Sequence, residues 1–84
     1  MKSASEVGKM AEKVGLKVLW TKEPEDESMD GEVQLEYDTS IQVGFGYYTV
    51  CWTSGSGFDK NYYSSPMIHD NPYDAVYEAE MKIQ

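Results

Sequence analysis

The 84 residues carry fifteen carboxylates against seven lysines, a formal charge of −8. A surface this negative repels nucleic acid and anionic membrane and attracts basic protein surfaces. The single cysteine excludes an internal disulfide, and no apolar run approaches the ~18 residues of a membrane span.

The charge is unevenly placed. Residues 1–22 hold five lysines and two glutamates, a net of +3, whereas residues 23–84 hold two lysines and thirteen acids, a net of −11. One domain is expected from this length, burying roughly 60–65% of its unfolded surface. Hydrophobic residues make up 40% and aromatics 13%, a composition that argues for a packed core and against disorder. Met1-Lys2-Ser3 runs into a polar helix with no apolar segment behind it, so no secretory signal is expected. With the lone thiol, this gives the expectation of a soluble protein of the host-cell cytoplasm.

The first helix is expected over 5–14, where Val7, Met10, Ala11 and Val14 recur at i, i+3, i+4 and i+7. Ser3 and Glu6 have capping-box spacing, and Gly15 suits the C′ stop. Leu16–Thr21 reads as a strand with Leu16, Val18 and Trp20 inward. A polar loop follows from Lys22 to Gly31. Glu32–Tyr37 alternates, with Val33, Leu35 and Tyr37 inward and Glu32, Gln34 and Glu36 outward. After a turn at 38–40, Ile41, Val43, Phe45 and Tyr47 share one phase while Tyr48, Val50 and Trp52 share the other. That change of phase predicts a bulge or bend at Gly44 and Gly46. Residues 54–57 form a turn by composition, and Phe58–Ser64 is expected as the last strand, ended by Pro66. Asn71 caps a closing helix with Pro72 at its first position, Asp74 in its first turn, and Ala75, Val76, Ala79 and Ile83 on its inner face. The expected fold is α+β: an antiparallel three- to four-stranded sheet in the order α-β-β-β(-β)-α, both helices on one face.

Several chemical motifs fail on inspection. Asp26-Glu27-Ser28-Met29-Asp30-Gly31 opens like a calcium loop, but its twelfth position is Tyr37, where a bidentate glutamate is required. A solvated acidic loop is the better reading. Cys51, between Val50 and Trp52, is expected as a buried inert thiol, and His69 as a loop residue ahead of the helix. Neither a zinc site nor a Cys–His nucleophile can be assembled, so no metal, cofactor or enzymatic activity is expected. The Ser54–Gly57 stretch lacks the lysine and following helix of a phosphate loop.

Two stretches carry a resemblance. Met10-Ala11-Glu12-Lys13-Val14-Gly15-Leu16-Lys17-Val18 is one; Tyr63-Ser64-Ser65-Pro66 followed by Asp70-Asn71-Pro72-Tyr73-Asp74-Ala75-Val76 is the other. Both, with the element order, resemble a small phage-encoded family, the phage ABA-sandwich domain. The resemblance implies a phage or prophage origin and a fold, and offers no catalytic residues. The order is also similar to double-stranded RNA-binding domains, but these need lysines at the start of the last helix, where this chain has Asp70 and Asp74.

The partner surface is expected on the acidic segment, at Glu23, Glu25, Asp26, Glu27, Asp30, Glu32, Glu36 and Asp38. Carboxylates along its strand would face a row of arginines that otherwise hold phosphates. Tyrosines anchor interfaces at low entropic cost, and Tyr48 and Tyr62, one from each adjacent tyrosine pair, are expected to extend the surface. The expected function is an acidic inhibitor of a basic, nucleic-acid-binding host defence protein, in the style of anti-CRISPR proteins and other DNA mimics. The alternative is an accessory module acting as a homodimer through an exposed strand edge.

Overall fold

A computed structural model describes residues 3–26, 29–55 and 57–83. Helix α1 (Ala4–Lys13) leads into strands β1 (Val18–Lys22), β2 (Gly31–Leu35), β3 (Ser40–Val43) and β4 (Tyr48–Ser54). A 3₁₀ turn (Gly57–Asp59), strand β5 (Asn61–Ser64) and helix α2 (Pro72–Ile83) complete the order. The strands form one antiparallel meander, β1-β2-β3-β4-β5. Both helices cover the same face, α1 over β1 and β2, α2 over β3 and β4. The α+β architecture with flanking helices is the one expected.

The helix ends follow from local chemistry. The Ser3 hydroxyl accepts from the Glu6 amide (3.1 Å), and the Glu6 carboxylate accepts from the Ser3 amide (3.2 Å). At the other end Leu16 N–H donates to the Ala11 carbonyl and Gly15 N–H to that of Glu12, with Gly15 at φ +92°. This is the Schellman pattern, and glycine supplies its left-handed residue without strain. In α2 the Asn71 side chain accepts from the Tyr73 amide at 2.8 Å.

The core is aliphatic. Ala4, Val7 and Ala11 of α1 and Ala75, Val76 and Ala79 of α2 close over Val33, Leu35, Ile41, Val43, Tyr48 and Val50. The buried stripe of α1 also includes Gly8, whose missing side chain lets the helix approach Thr21 of β1. Val14, expected on that stripe, is the C-cap residue and is exposed.

The sheet differs from expectation at four places. A register shift between Val18 and Trp20 puts Val18 opposite Leu35 but Trp20 opposite Gln34. Trp20 therefore turns to the open face and is half exposed, because one extra residue reverses the alternation. The segment 41–52 is two strands, not one bent strand, since Gly44-Phe45-Gly46-Tyr47 forms a hairpin closed by Gly44 N–H donating to the Tyr47 carbonyl (2.9 Å). The sheet therefore has five strands, against the three or four expected. Phe58 lies in the 3₁₀ turn and is fully exposed. Tyr37, expected inward, sits with Asp38 at the tip of the β2–β3 hairpin.

That tip is a strained turn. Tyr37 has φ 60° and Asp38 φ 55°, and the Thr39 amide donates to the Glu36 carbonyl (3.3 Å). Two successive left-handed residues make a type I′ turn, which favours Asn and Gly over a bulky tyrosine. Tyr37 is exposed and contributes no core packing. Tyr37→Asn is expected to raise stability by about 1 kcal/mol. An unchanged or lower urea midpoint would contradict this.

Candidate functional site: the open face of the sheet

With both helices on one face, every second residue of the strands points to the other. Register fixes the rows: Glu32 beside Gln42 beside Thr49; Gln34 beside Ser40 beside Cys51 beside Ser64; Thr53 beside Tyr62. These positions alternate with the buried Val33, Ile41 and Val50. The result is a shallow trough of about 370 Å³ with small polar side chains as its floor and Glu32, Asp38 and Tyr62 among its lining residues.

Polar contacts organise the trough. Gln42 donates to Glu32 Oε1 at 2.6 Å, and Gln34 Nε2 donates to the carbonyls of Leu35 (3.1 Å) and Thr39 (3.3 Å). At one end Asp38 is ion-paired with Lys60 and accepts from the Thr53 hydroxyl at 3.4 Å. The hydrogen bond from Lys60, then its charge, hold the Asp38 carboxyl below its ordinary range; the same hydrogen bond raises Lys60. A lowered acid and a raised base keep this pair ionised across the neutral range. Its contribution is lost only as acid protonates Asp38 or strong base discharges Lys60.

The structure brings three of the ten expected partner-binding residues together: Glu32, Asp38 and Tyr62 line the trough. The others are dispersed by structural tasks. Glu23 caps α1 from nineteen residues away, its two carboxylate oxygens accepting from the amides of Ala4 (2.8 Å) and Ser5 (3.0 Å). Glu25 pairs with Lys22 at 3.9 Å and Glu36 with Lys17 at 3.8 Å. Asp26 lies in a bend where its carbonyl accepts from the Met29 amide at 3.2 Å. Asp30 accepts from the Tyr47 hydroxyl at 2.5 Å, a bond that raises the Tyr47 pKa because ionisation would break it and oppose two negative charges. Glu27 lies outside the described residues. The expected row of carboxylates does not form, since β2 stops at Leu35 and Gln34 stands between Glu32 and Glu36. Tyr48 is corrected outright: at 2% exposure it is a core residue, because β4 starts with the phase of Val50, and Tyr47 is the ring left outside.

Residues that sequence reasoning missed are the polar floor: Gln34, Ser40, Gln42, Cys51, Thr53 and Ser64. For Ser40, Gln42, Cys51 and Thr53 the signal is the polar half of the alternation in 40–53, legible only once the hairpin splits that segment. Cys51 is thereby corrected too. It is half-buried on the open face, with Sγ 3.5 Å from Ser64 Oγ.

A second polar cluster lies under α2. Glu78 accepts from the Ser65 hydroxyl with Oε2 (2.8 Å) and contacts His69 Nε2 with Oε1 (2.8 Å). A catalytic triad needs the imidazole between hydroxyl and carboxylate. Here the carboxylate is central, and the cluster is a clasp holding the 65–69 segment to the helix. His69, expected in a loop, also pairs through its backbone with Tyr48. Among the described residues no three His, Cys, Asp or Glu side chains converge as metal ligands, and no helix is long and apolar enough to cross a membrane. No family model, curated protein or solved structure matches the chain.

Proposed function

We propose that this chain is an acidic binding protein that occupies the nucleic-acid-binding surface of a basic partner protein with the open face of its sheet. In a phage or other mobile element that partner would be a host defence protein. The observation that carries the reading is the convergence of Glu32, Asp38 and Tyr62 on one uncovered polar trough. The net charge of −8 steers a basic surface toward the chain and away from nucleic acid. A partner arginine can exchange with Lys60 on Asp38, since an exposed ion pair holds its members weakly. Tyr62, 81% exposed, supplies an aromatic anchor beside these acids.

Calorimetric titration with an arginine-rich peptide tests the reading. The double variant Glu32→Gln/Asp38→Asn is expected to weaken binding about tenfold. The double variant Asp70→Asn/Asp74→Asn removes the same charge at the start of α2 and is expected to change it little. Equal losses in both variants would reduce the effect to net charge and remove the open face from the account.

A further inference from the structure

We propose that the free edge of β5 is a self-association surface, joining two copies of this chain into one continuous antiparallel sheet. The argument begins with the contrast between the two edges. β1 carries the devices that discourage pairing: a bulge between Val18 and Trp20, with Lys17 and Lys22 at its ends. β5, Asn61-Tyr62-Tyr63-Ser64, has no charge, no proline and an unbroken register with β4. In β5 and the chain on either side of it Phe58, Tyr62, Tyr63, Met67 and Ile68 are all exposed. Exposed apolar side chains flanking an uncharged free edge on a small acidic protein suit an interaction surface.

The backbone fixes the register. Ser65 N–H donates to the Val50 carbonyl at 2.8 Å, and these residues continue the pairing of Cys51 with Ser64 and Trp52 with Tyr63. Hydrogen-bonded pairs alternate along an antiparallel ladder, so Tyr63 points its backbone groups at β4 while Tyr62 and Ser64 point theirs outward. Pairing with a second copy about a two-fold axis at Tyr63 satisfies all of these outward groups, Tyr62 against Ser64 of the second copy and the reverse. Side chains opposite one another then share a face, as the pleat requires. Tyr63 meets its own copy in the close, non-hydrogen-bonded pair, at about 4.5 Å between Cα atoms. Each Tyr63 is already stacked on Trp52, ring centroids 5.9 Å apart, with Lys82 above Trp52. Antiparallel pairing also brings the segment ahead of β5, with exposed Phe58, to the same end of the seam as the segment after β5 of the second copy, with exposed Ile68. The axis is perpendicular to the sheet, so both troughs remain uncovered on the same side. The dimer is thus independent of the partner proposed for the open face.

Sedimentation velocity over a concentration series, at low and high salt, reads the association. A dimer is expected that strengthens with salt, because two copies of charge −8 repel and salt screens them. Contact with a basic partner would have the opposite salt dependence. Tyr62→Pro removes an outward N–H without touching the β4 ladder, and is expected to leave a folded monomer by circular dichroism. Ile68→Lys, at a 71% exposed position, is expected to do the same with no risk to the core. In a Cys51→Ser background, Tyr63→Cys is expected to oxidise to a covalent dimer, and Tyr62→Cys to do so far less. A monomer at every concentration and salt overturns the proposal. So does a dimer indifferent to Ile68→Lys, or crosslinking through position 62 in preference to 63.

Discussion

Glu78→Ala is expected to destabilise the protein by about 2–4 kcal/mol, from two hydrogen bonds lost and their partners left without an acceptor. Its carboxylate joins three pieces of chain. Oε2 takes the Ser65 hydroxyl, Oε1 meets His69 Nε2, and Ser65 Oγ in turn accepts from the Met67 amide at 3.1 Å. The side chains of His69 and Glu78 are only 12% and 19% exposed, so water cannot freely replace the carboxylate. The clasp holds the one place where the pairing along β4 is interrupted: Ser65 bonds Val50 and His69 bonds Tyr48, with Pro66-Met67-Ile68 looped out between them. Losing it frees this loop and loosens the backbone pairing of His69 with Tyr48. Glu78→Gln keeps one acceptor and is expected to lose less than Glu78→Ala. A change within ~0.5 kcal/mol for alanine, the level of an ordinary surface site, would show that the clasp holds nothing.

Gly31→Ala is expected to cost about 1–3 kcal/mol, the range for forcing atoms into a packed site. A Cβ there would lie 2.5 Å from the Lys22 carbonyl oxygen and 2.9 Å from the Pro24 nitrogen. Both are backbone atoms, so no rotamer change relieves the contact. The strand pair β1–β2 must separate where Lys22 faces Glu32, and the shift passes to Glu23, which caps α1. Gly15 is the control. Its φ of +92° disfavours alanine, but nothing lies within 4 Å of the added carbon, so Gly15→Ala is expected to cost about 1 kcal/mol. Urea unfolding of the two variants separates contact from conformation. A smaller loss at Gly31 than at Gly15 would contradict the close approach.

Much of the fold is legible from local chemistry. The capping box at Ser3 and Glu6, the Gly15 stop and the Asn71-Pro72 start all appear where the sequence places them, because each depends on neighbours within a turn. The alternation of Val33 and Leu35 likewise marks β2. What resists reading depends on pairing across the sheet. Nothing in Val18-Leu19-Trp20 announces the bulge that turns Trp20 outward, and the turn expected at 38–40 is centred instead on Tyr37 and Asp38, non-glycine residues that do not advertise a left-handed backbone. The acidic segment looks like one surface because its residues are adjacent. Folding separates them, sending Glu23 to a helix end, Asp30 to Tyr47 and Asp38 to Lys60. The trough draws on β2, β3, β4 and β5 at once, so its floor has no sequence signature until the register is known.

The central claim is that basic protein groups are received on the open face. Amide chemical shifts followed while an arginine-rich peptide is titrated into the protein test it most directly. The account predicts that shifts concentrate at Glu32, Gln34, Asp38, Gln42, Thr53 and Tyr62, fade with added salt, and leave the helix residues Glu12, Asp74 and Tyr77 in place. Shifts centred on the helices, or spread evenly over every exposed carboxylate, would contradict it.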